Sequence, residues 1–203
     1  MKSKGISLNS MAGYYDALTP AEKSRLRHKQ IELIGLKEGE AVLEVGCGTG
    51  VLSVLSRLKT GNTGKVCGID IAGKMIAAAR KKAEKYGLNI DFRVASIDDL
   101  PFPDNSFDVV IGSMMFHHLP VNIKEAGLRE INRVLKNDGR FLLSDFCTPN
   151  IYIAPLMFFL LIWLSSARFQ LLGKLPALIR KAGFTDIRLV KKGLFIKHYL
   201  IRK

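Results

Sequence analysis

Two carboxylates and three closely spaced glycines carry the first chemical signal of this 203-residue chain. In Val42-Leu43-Glu44-Val45-Gly46-Cys47-Gly48-Thr49-Gly50 an apolar run ends on glycine at every second position. Such glycines let the backbone turn sharply and bring its amides against a bound molecule. Nucleotide-binding folds of several kinds share that spacing. Glu44 narrows the field, because a carboxylate inside an apolar strand is costly unless something pairs with it; otherwise it only caps the loop. Asp70 closes a second apolar run, Val66–Ile69, about twenty residues further on. A carboxylate there can accept both hydroxyls of a ribose, each charged hydrogen bond contributing about 1.5–3 kcal/mol.

A second set of reactive side chains follows the fourth apolar run, in Gly112-Ser113-Met114-Met115-Phe116-His117-His118. His117 and His118 fall where a strand hands over to a loop, the edge at which sheets of this kind bind ligands. Two readings stand: one histidine accepts a proton from a substrate, or one packs and the other hydrogen-bonds a neighbouring loop. Neighbouring residues project differently, and no Asp/Glu-rich set stands near, so a metal site is not expected. Asp145, at the tip of the fifth run, is placed to face an acceptor. Tyr14 and Tyr15 can form a lid over the ligand or simply pack.

The elements that must position these residues alternate between strand and helix from residue 41 onward, as a parallel sheet with crossover helices requires. Strands are expected at Ala41–Val45, Val66–Ile69, Asn89–Val94, Phe107–Ile111 and Arg140–Ser144, the last entered through Asn137-Asp138-Gly139. Helices are expected at Val51–Lys59, Ala72–Tyr86, Ile123–Leu135 and Leu172–Ala182, with Gly87 and Gly183 as stops. Thr185–Val190 and Phe195–Ile201 are joined by only Lys191-Lys192-Gly193-Leu194. That linker cannot hold a crossover helix, so the last pair is antiparallel. The chain reads as one α/β domain over residues 1–203, a Rossmann-like three-layer sandwich with a seven-stranded, mostly parallel sheet. Residues 1–40 form an N-terminal helical cap.

The composition, 48% hydrophobic and 24% charged, fits a globular protein and excludes disorder. Three scattered cysteines, Cys47, Cys67 and Cys147, form no disulfide framework and point to a reducing, cytoplasmic compartment. The N-terminus lacks the apolar run of a secretory signal. Of the net charge of +13, a surplus of +9 lies between Arg168 and Lys203, where ten Lys or Arg face one acid, Asp186. A solvated surface, an anionic membrane or an acidic substrate would each account for it; nucleic acid is not expected.

Four segments together resemble the class I S-adenosylmethionine-dependent methyltransferases. Val42–Gly50 resembles their glycine motif, and Val66-Cys67-Gly68-Ile69-Asp70-Ile71 with Met75 their second cofactor segment. Leu100-Pro101-Phe102-Pro103-Asp104-Asn105-Ser106-Phe107-Asp108-Val109-Val110 resembles the entry to their fourth strand. Arg133-Val134-Leu135-Lys136-Asn137-Asp138-Gly139-Arg140 resembles the turn before the fifth. The nearest group is the small-molecule branch acting on quinones, sterols and phospholipids. The resemblance implies S-adenosylmethionine as cofactor, its methionine part on Gly46, Cys47, Gly48 and Gly50, its ribose on Asp70, and its adenine flanked by Ile71 and Met75. Ile97 would offer a backbone amide to the adenine, Ser113 would lie beside the sulfonium, and Tyr15 would cover the cofactor. Ser96 departs from the family, which usually has Asp there to accept from the adenine amino group; Asp98 is the nearby substitute. A dehydrogenase is disfavoured because its loop reads G-x-G-x-x-G. The Asn/Asp-Pro-Pro-aromatic run of DNA amino-methyltransferases is missing, and Cys147 alone cannot support arsenic methylation.

The segment from Phe146 to Ala167 has no charged residue, and its centre, Leu156–Leu164, is continuously apolar. It approaches the length of a membrane span, about 20 residues, yet a span would strand the last two strands across the bilayer. Residues 146–171 therefore read as an insertion: a lid over the pocket, a membrane-surface element beside the basic tail, or an oligomer interface. The expected function is methyl transfer to a small, lipophilic acceptor. The alternative from another class is a non-catalytic cofactor-binding or membrane-adaptor protein.

Overall fold

Ala41–Val45 is apolar at nearly every position because it lies between neighbours in a parallel sheet whose two faces are both covered. The computed structural model describes residues 25–146, 174–193 and 196–203. In chain order its elements are helix α1 (Arg25–Ile34), strand β1 (Ala41–Val45), helix α2 (Val51–Thr60), strand β2 (Lys65–Asp70), helix α3 (Gly73–Lys85), strand β3 (Asp91–Val94) and strand β4 (Phe107–Ser113). A 3-10 turn (Phe116–His118), helix α4 (Val121–Val134), strand β5 (Leu135–Phe146), helix α5 (Leu175–Lys181), strand β6 (Asp186–Lys192) and strand β7 (Ile196–Arg202) complete them.

The seven strands lie in the order β3-β2-β1-β4-β5-β7-β6. β1 pairs in parallel with β2 on one side and β4 on the other, so the winding reverses at the β1–β4 step. Such a reversal opens a crevice at the carboxyl ends of the strands, where ligands of doubly wound sheets bind. β7 pairs antiparallel with both β5 and β6, as the short linker requires.

Alternate strand residues feed two cores. Leu43, Val45, Val110 and Leu143 pack with Leu128, Ile131 and Val134 of α4 and with Leu178 and Ile179 of α5. Val42, Val109, Ile111 and Leu142 pack on the other face with Leu52 of α2 and Ile34 of α1. Arg140 ties α1 to the sheet. Its guanidinium donates to the carbonyls of Ile34 and Gly35, both at 2.7 Å, and pairs with Glu40 at 2.7 Å.

One expectation at the fifth strand is corrected. Asn137-Asp138-Gly139 does not separate α4 from a strand beginning at Arg140, because β5 already pairs at Leu135, opposite Phe107. The register then shifts between Phe107 and Val109, and the extra residues of the turn are taken up as an irregularity within the strand. Arg133 explains why the segments at 100–105 and 133–140 occur together: it donates to the carbonyls of Leu100 and Phe102 and pairs with Asp104 and Glu130. The loop before β4 is thus pinned to the end of α4.

Candidate cofactor and acceptor site

The glycine loop is built from left-handed backbone. Gly46, Gly48 and Gly50 have φ of 66°, 52° and 76°, a region other residues enter only at a cost of about 1–2 kcal/mol. At Gly46 a side chain is excluded sterically too, because a Cβ would stand 2.9 Å from that of Met115. At Gly48 the Cβ direction is empty and the residue lines the crevice, so the backbone itself is exposed to whatever binds. Asp70 holds the loop in shape. Its carboxylate accepts from Gly48 N at 2.9 Å and from Ala72 N at 2.8 Å, one bond to each oxygen.

The crevice encloses about 940 Å³, including its solvent-facing mouth. Glu44, Gly46, Cys47, Gly48, Asp70, Ile71, Met75, Ser96, Ile97 and Ser113 all line it, as the sequence led us to expect. Gly50 does not; it stands behind the loop, where a Cβ would come within 2.8 Å of Phe92. Tyr14, Tyr15 and the apolar insertion, except Phe146, lie outside the described residues. Ile97 is set into the wall by Gly127 of α4, whose missing side chain leaves room for its branched one. The Ser96 hydroxyl donates to Asp98, which keeps its oxygen available as an acceptor.

Glu44 is the electrostatic centre of the crevice. Burial pushes its carboxyl up to about 7, against the pull of the Ser53 hydroxyl, which donates at 2.5 Å, and of the Arg27 charge. Burial also raises Asp70. Two buried carboxyls held above their ordinary range await a ligand that brings donors and positive charge.

On the far side lie Ser113, Met114, Met115, His118 and Leu119. Met114 takes a φ of 55°, rare for a non-glycine residue, and its amide donates to the Ser144 carbonyl at 2.8 Å. The two histidines do not diverge: their ring centres lie 3.8 Å apart. His118 lines the crevice, and burial together with the neighbouring His117 lowers its proton affinity. His117 lies behind it, with Nδ1 2.7 Å from Asp145 Oδ1 and its amide donating to Asp145 Oδ2 at 3.1 Å. Asp145 is turned to His117 and does not line the crevice. Among the described residues no group of three His, Cys, Asp or Glu is arranged to hold a metal.

Sequence reasoning missed two residues of α1. Arg27 lines the crevice and donates to Ser113 Oγ at 3.1 Å, and the fully buried Gln30 donates to the same oxygen at 2.8 Å. Both sit in a basic amphipathic run, where nothing distinguishes them from solvated polar residues.

Residues 42–139 match the family described as methyltransferase domain. A ubiquinone/menaquinone biosynthesis C-methyltransferase from Hydrogenovibrio crunogenus is 32% identical over 151 residues, 71% of this chain and 58% of the relative. A demethylmenaquinone methyltransferase from Tropheryma whipplei is 35% identical over 72% of this chain and 60% of its own length. The chain therefore spans roughly 60% of the length of these relatives. Among solved structures, an S-adenosylmethionine-dependent methyltransferase from Aquifex aeolicus superposes with a TM-score of 0.73 at 25% identity, over 94% of this chain and 97% of that one. The chain belongs to the class I S-adenosylmethionine-dependent methyltransferases.

The residues present fit the cofactor of this methyltransferase family. Each Asp70 oxygen already accepts one backbone N–H and retains a lone pair, enough for two ribose hydroxyls. The buried Glu44 calls for a cation, and S-adenosylmethionine carries an ammonium and a sulfonium. Ile71, Met75 and Ile97 supply apolar walls for a flat ring. When bound, the cofactor would supply a methyl group activated by its sulfonium, and the residues lining the crevice would align it and exclude water.

Proposed function

We propose that this methyltransferase transfers a methyl group from S-adenosylmethionine to a ring carbon of a quinol-like, lipophilic acceptor. The observation that carries the reading is the composition of the far wall: Met114, Met115 and Leu119 make it apolar, and the imidazole of His118 stands among them. The relatives named for quinone C-methylation support the choice of acceptor class. In methylation of an aromatic carbon the ring supplies the electron pair of the new C–C bond, and the proton on that carbon must leave. The depressed proton affinity of His118 keeps the imidazole neutral near pH 7 and able to take that proton. His117 and Asp145 act through His118 as positioning residues. The glycine loop with Glu44, Cys47 and Asp70 orients the methyl donor, Ser96 and Ile97 receive the adenine, and Ser113 lies at the reacting end. Residues 1–40, with Tyr15, serve as a cap.

The basic C-terminal part and the apolar insertion support peripheral contact with an anionic cytoplasmic membrane, where a lipophilic quinol would be met. No helix among the described residues is long and apolar enough to cross a membrane.

The test is transfer of labelled methyl from S-adenosylmethionine to short-chain demethylated quinols under reducing conditions, beside sterol and phospholipid extracts. Label on the quinol ring is expected, with His118→Ala lowering the rate by about 10²-fold or more. Cofactor binding without label on any quinol would overturn the reading, and would favour a cofactor-binding adaptor if no extract is labelled.

A further inference from the structure

Where α1 packs over the end of β4, a cation and a hydroxyl meet in the wall of the crevice. Arg27 Nη1 donates to Ser113 Oγ at 3.1 Å, and Nε2 of the fully buried Gln30 donates to the same oxygen at 2.8 Å. A hydroxyl has two lone pairs and one proton. With both lone pairs engaged, Ser113 meets a ligand only as a donor. Its side chain is buried in the crevice wall, so the two accepted bonds, rather than water, set the direction of that proton. Gln30 holds the arrangement from inside. Its Oε1 has no partner among the described residues, and Nε2 is its tie to Ser113. Arg27 has donors to spare. A guanidinium carries five N–H groups; one goes to Ser113, and among the described residues Arg27 forms no ion pair. It is half-buried and close enough for its charge to act on Glu44. Such a fork beside a hydroxyl donor suits an oxygen that is negatively charged and accepts more than one bond.

We propose that Arg27 and Ser113, held by Gln30, form a subsite for an anionic oxygen, a carboxylate or a phenolate. Two ligands of the crevice can bring one. The methyl donor carries an α-carboxylate beside the ammonium that the buried Glu44 calls for, and a quinol-like acceptor ionises at a ring oxygen. Held there as phenolate, the ring oxygen pushes electron density onto the neighbouring ring carbons, the ones open to methylation. The phenolate source rests on the acceptor class proposed above; the carboxylate source does not.

The experiment measures binding rather than turnover, with two pairs of probes that differ by the oxygen in question. S-adenosylhomocysteine is compared with its decarboxylated form by calorimetry. 1-Naphthol is compared with naphthalene by fluorescence, with S-adenosylhomocysteine bound. Each pair is measured on the full chain and on Arg27→Gln, Arg27→Lys and Ser113→Ala. The parent is expected to favour the oxygen-bearing probe of at least one pair by about tenfold, the size of one hydrogen bond to a charged group. That preference should fall to about twofold in Arg27→Gln and return in part in Arg27→Lys, which keeps the charge without the fork. In Ser113→Ala it should drop by about threefold, as for a neutral donor removed. Comparing ratios within each variant cancels any general loss of affinity or packing. Loss in the homocysteine pair assigns the subsite to the methyl donor, and loss in the naphthol pair assigns it to the acceptor. A parent without preference in either pair overturns the subsite, as does a preference unaltered in Arg27→Gln or in Ser113→Ala. A preference lost in the variants, with no label transferred to any quinol, leaves the subsite standing and faults only the acceptor class.

Discussion

Under the proposed function, Asp70 and Glu44 would divide the work of binding by their surroundings. Asp70 has structural bonds to the loop and spare lone pairs toward the crevice. Asp70→Ala is expected to weaken cofactor binding by about tenfold or more, that is by ~1.4 kcal/mol or more, measured by calorimetry; an affinity within threefold of the parent would remove the ribose assignment. Glu44 makes a prediction in pH. Its carboxyl is raised from 4.5 to about 7 by burial, so the stability it lends the unliganded fold is complete below 4.5 and is lost as pH rises through 7. A cationic ligand favours the ionised form. Cofactor binding at about pH 6 should therefore release a proton, and affinity should rise toward pH 8. Calorimetry in two buffers of unequal ionisation enthalpy measures that release directly, and its absence would mean that Glu44 serves only to hold Ser53.

Among the elements, the glycine loop and the β2–α3 corner are locked together from behind. A side chain at Gly50 would strike Phe92 of β3 at 2.8 Å and Ala79 of α3 at 2.9 Å, and the residue sits at a φ of 76°. Gly50→Ala should cost about 2–3 kcal/mol in urea unfolding, more than an exposed loop glycine would; a loss under 0.5 kcal/mol would show that β3 and α3 yield. The strands were legible because burial on both faces makes them continuous apolar runs, and β1, β2 and β4 fall where those runs do. The start of β5 was not, since Asn137-Asp138-Gly139 has the composition of a turn whether it precedes a strand or interrupts one. The residues that line the crevice were legible through motif spacing. Arg27, Gln30 and Lys124 were not, because a polar side chain turned inward and a solvated one look alike in a helix; only the packing of α1 and α4 on the sheet tells them apart.

At the level of the whole molecule, net charge is the dominant long-range property. A surplus of +13, concentrated toward the C-terminus, is expected to steer the protein to negatively charged surfaces at low ionic strength. Sedimentation with anionic vesicles should show binding that weakens as salt is raised from about 0.05 to 0.5 M, over which the screening length falls severalfold. Replacing Phe158, Phe159 and Trp163 of the apolar segment by serine should reduce the salt-resistant fraction. If vesicle binding is unaltered by those changes, charge alone accounts for the association.

Met114 bears on how such a protein can change over time. Its backbone stands in a conformation that glycine would occupy at lower energy, and the residue forms part of the crevice wall. Selection for stability alone would favour glycine at this position at once, with no loss to the bond between its amide and Ser144. A methionine there turns a strained backbone position into part of the crevice wall, so that position 114 is a place where a change in the wall and a gain in stability would arrive in the same substitution.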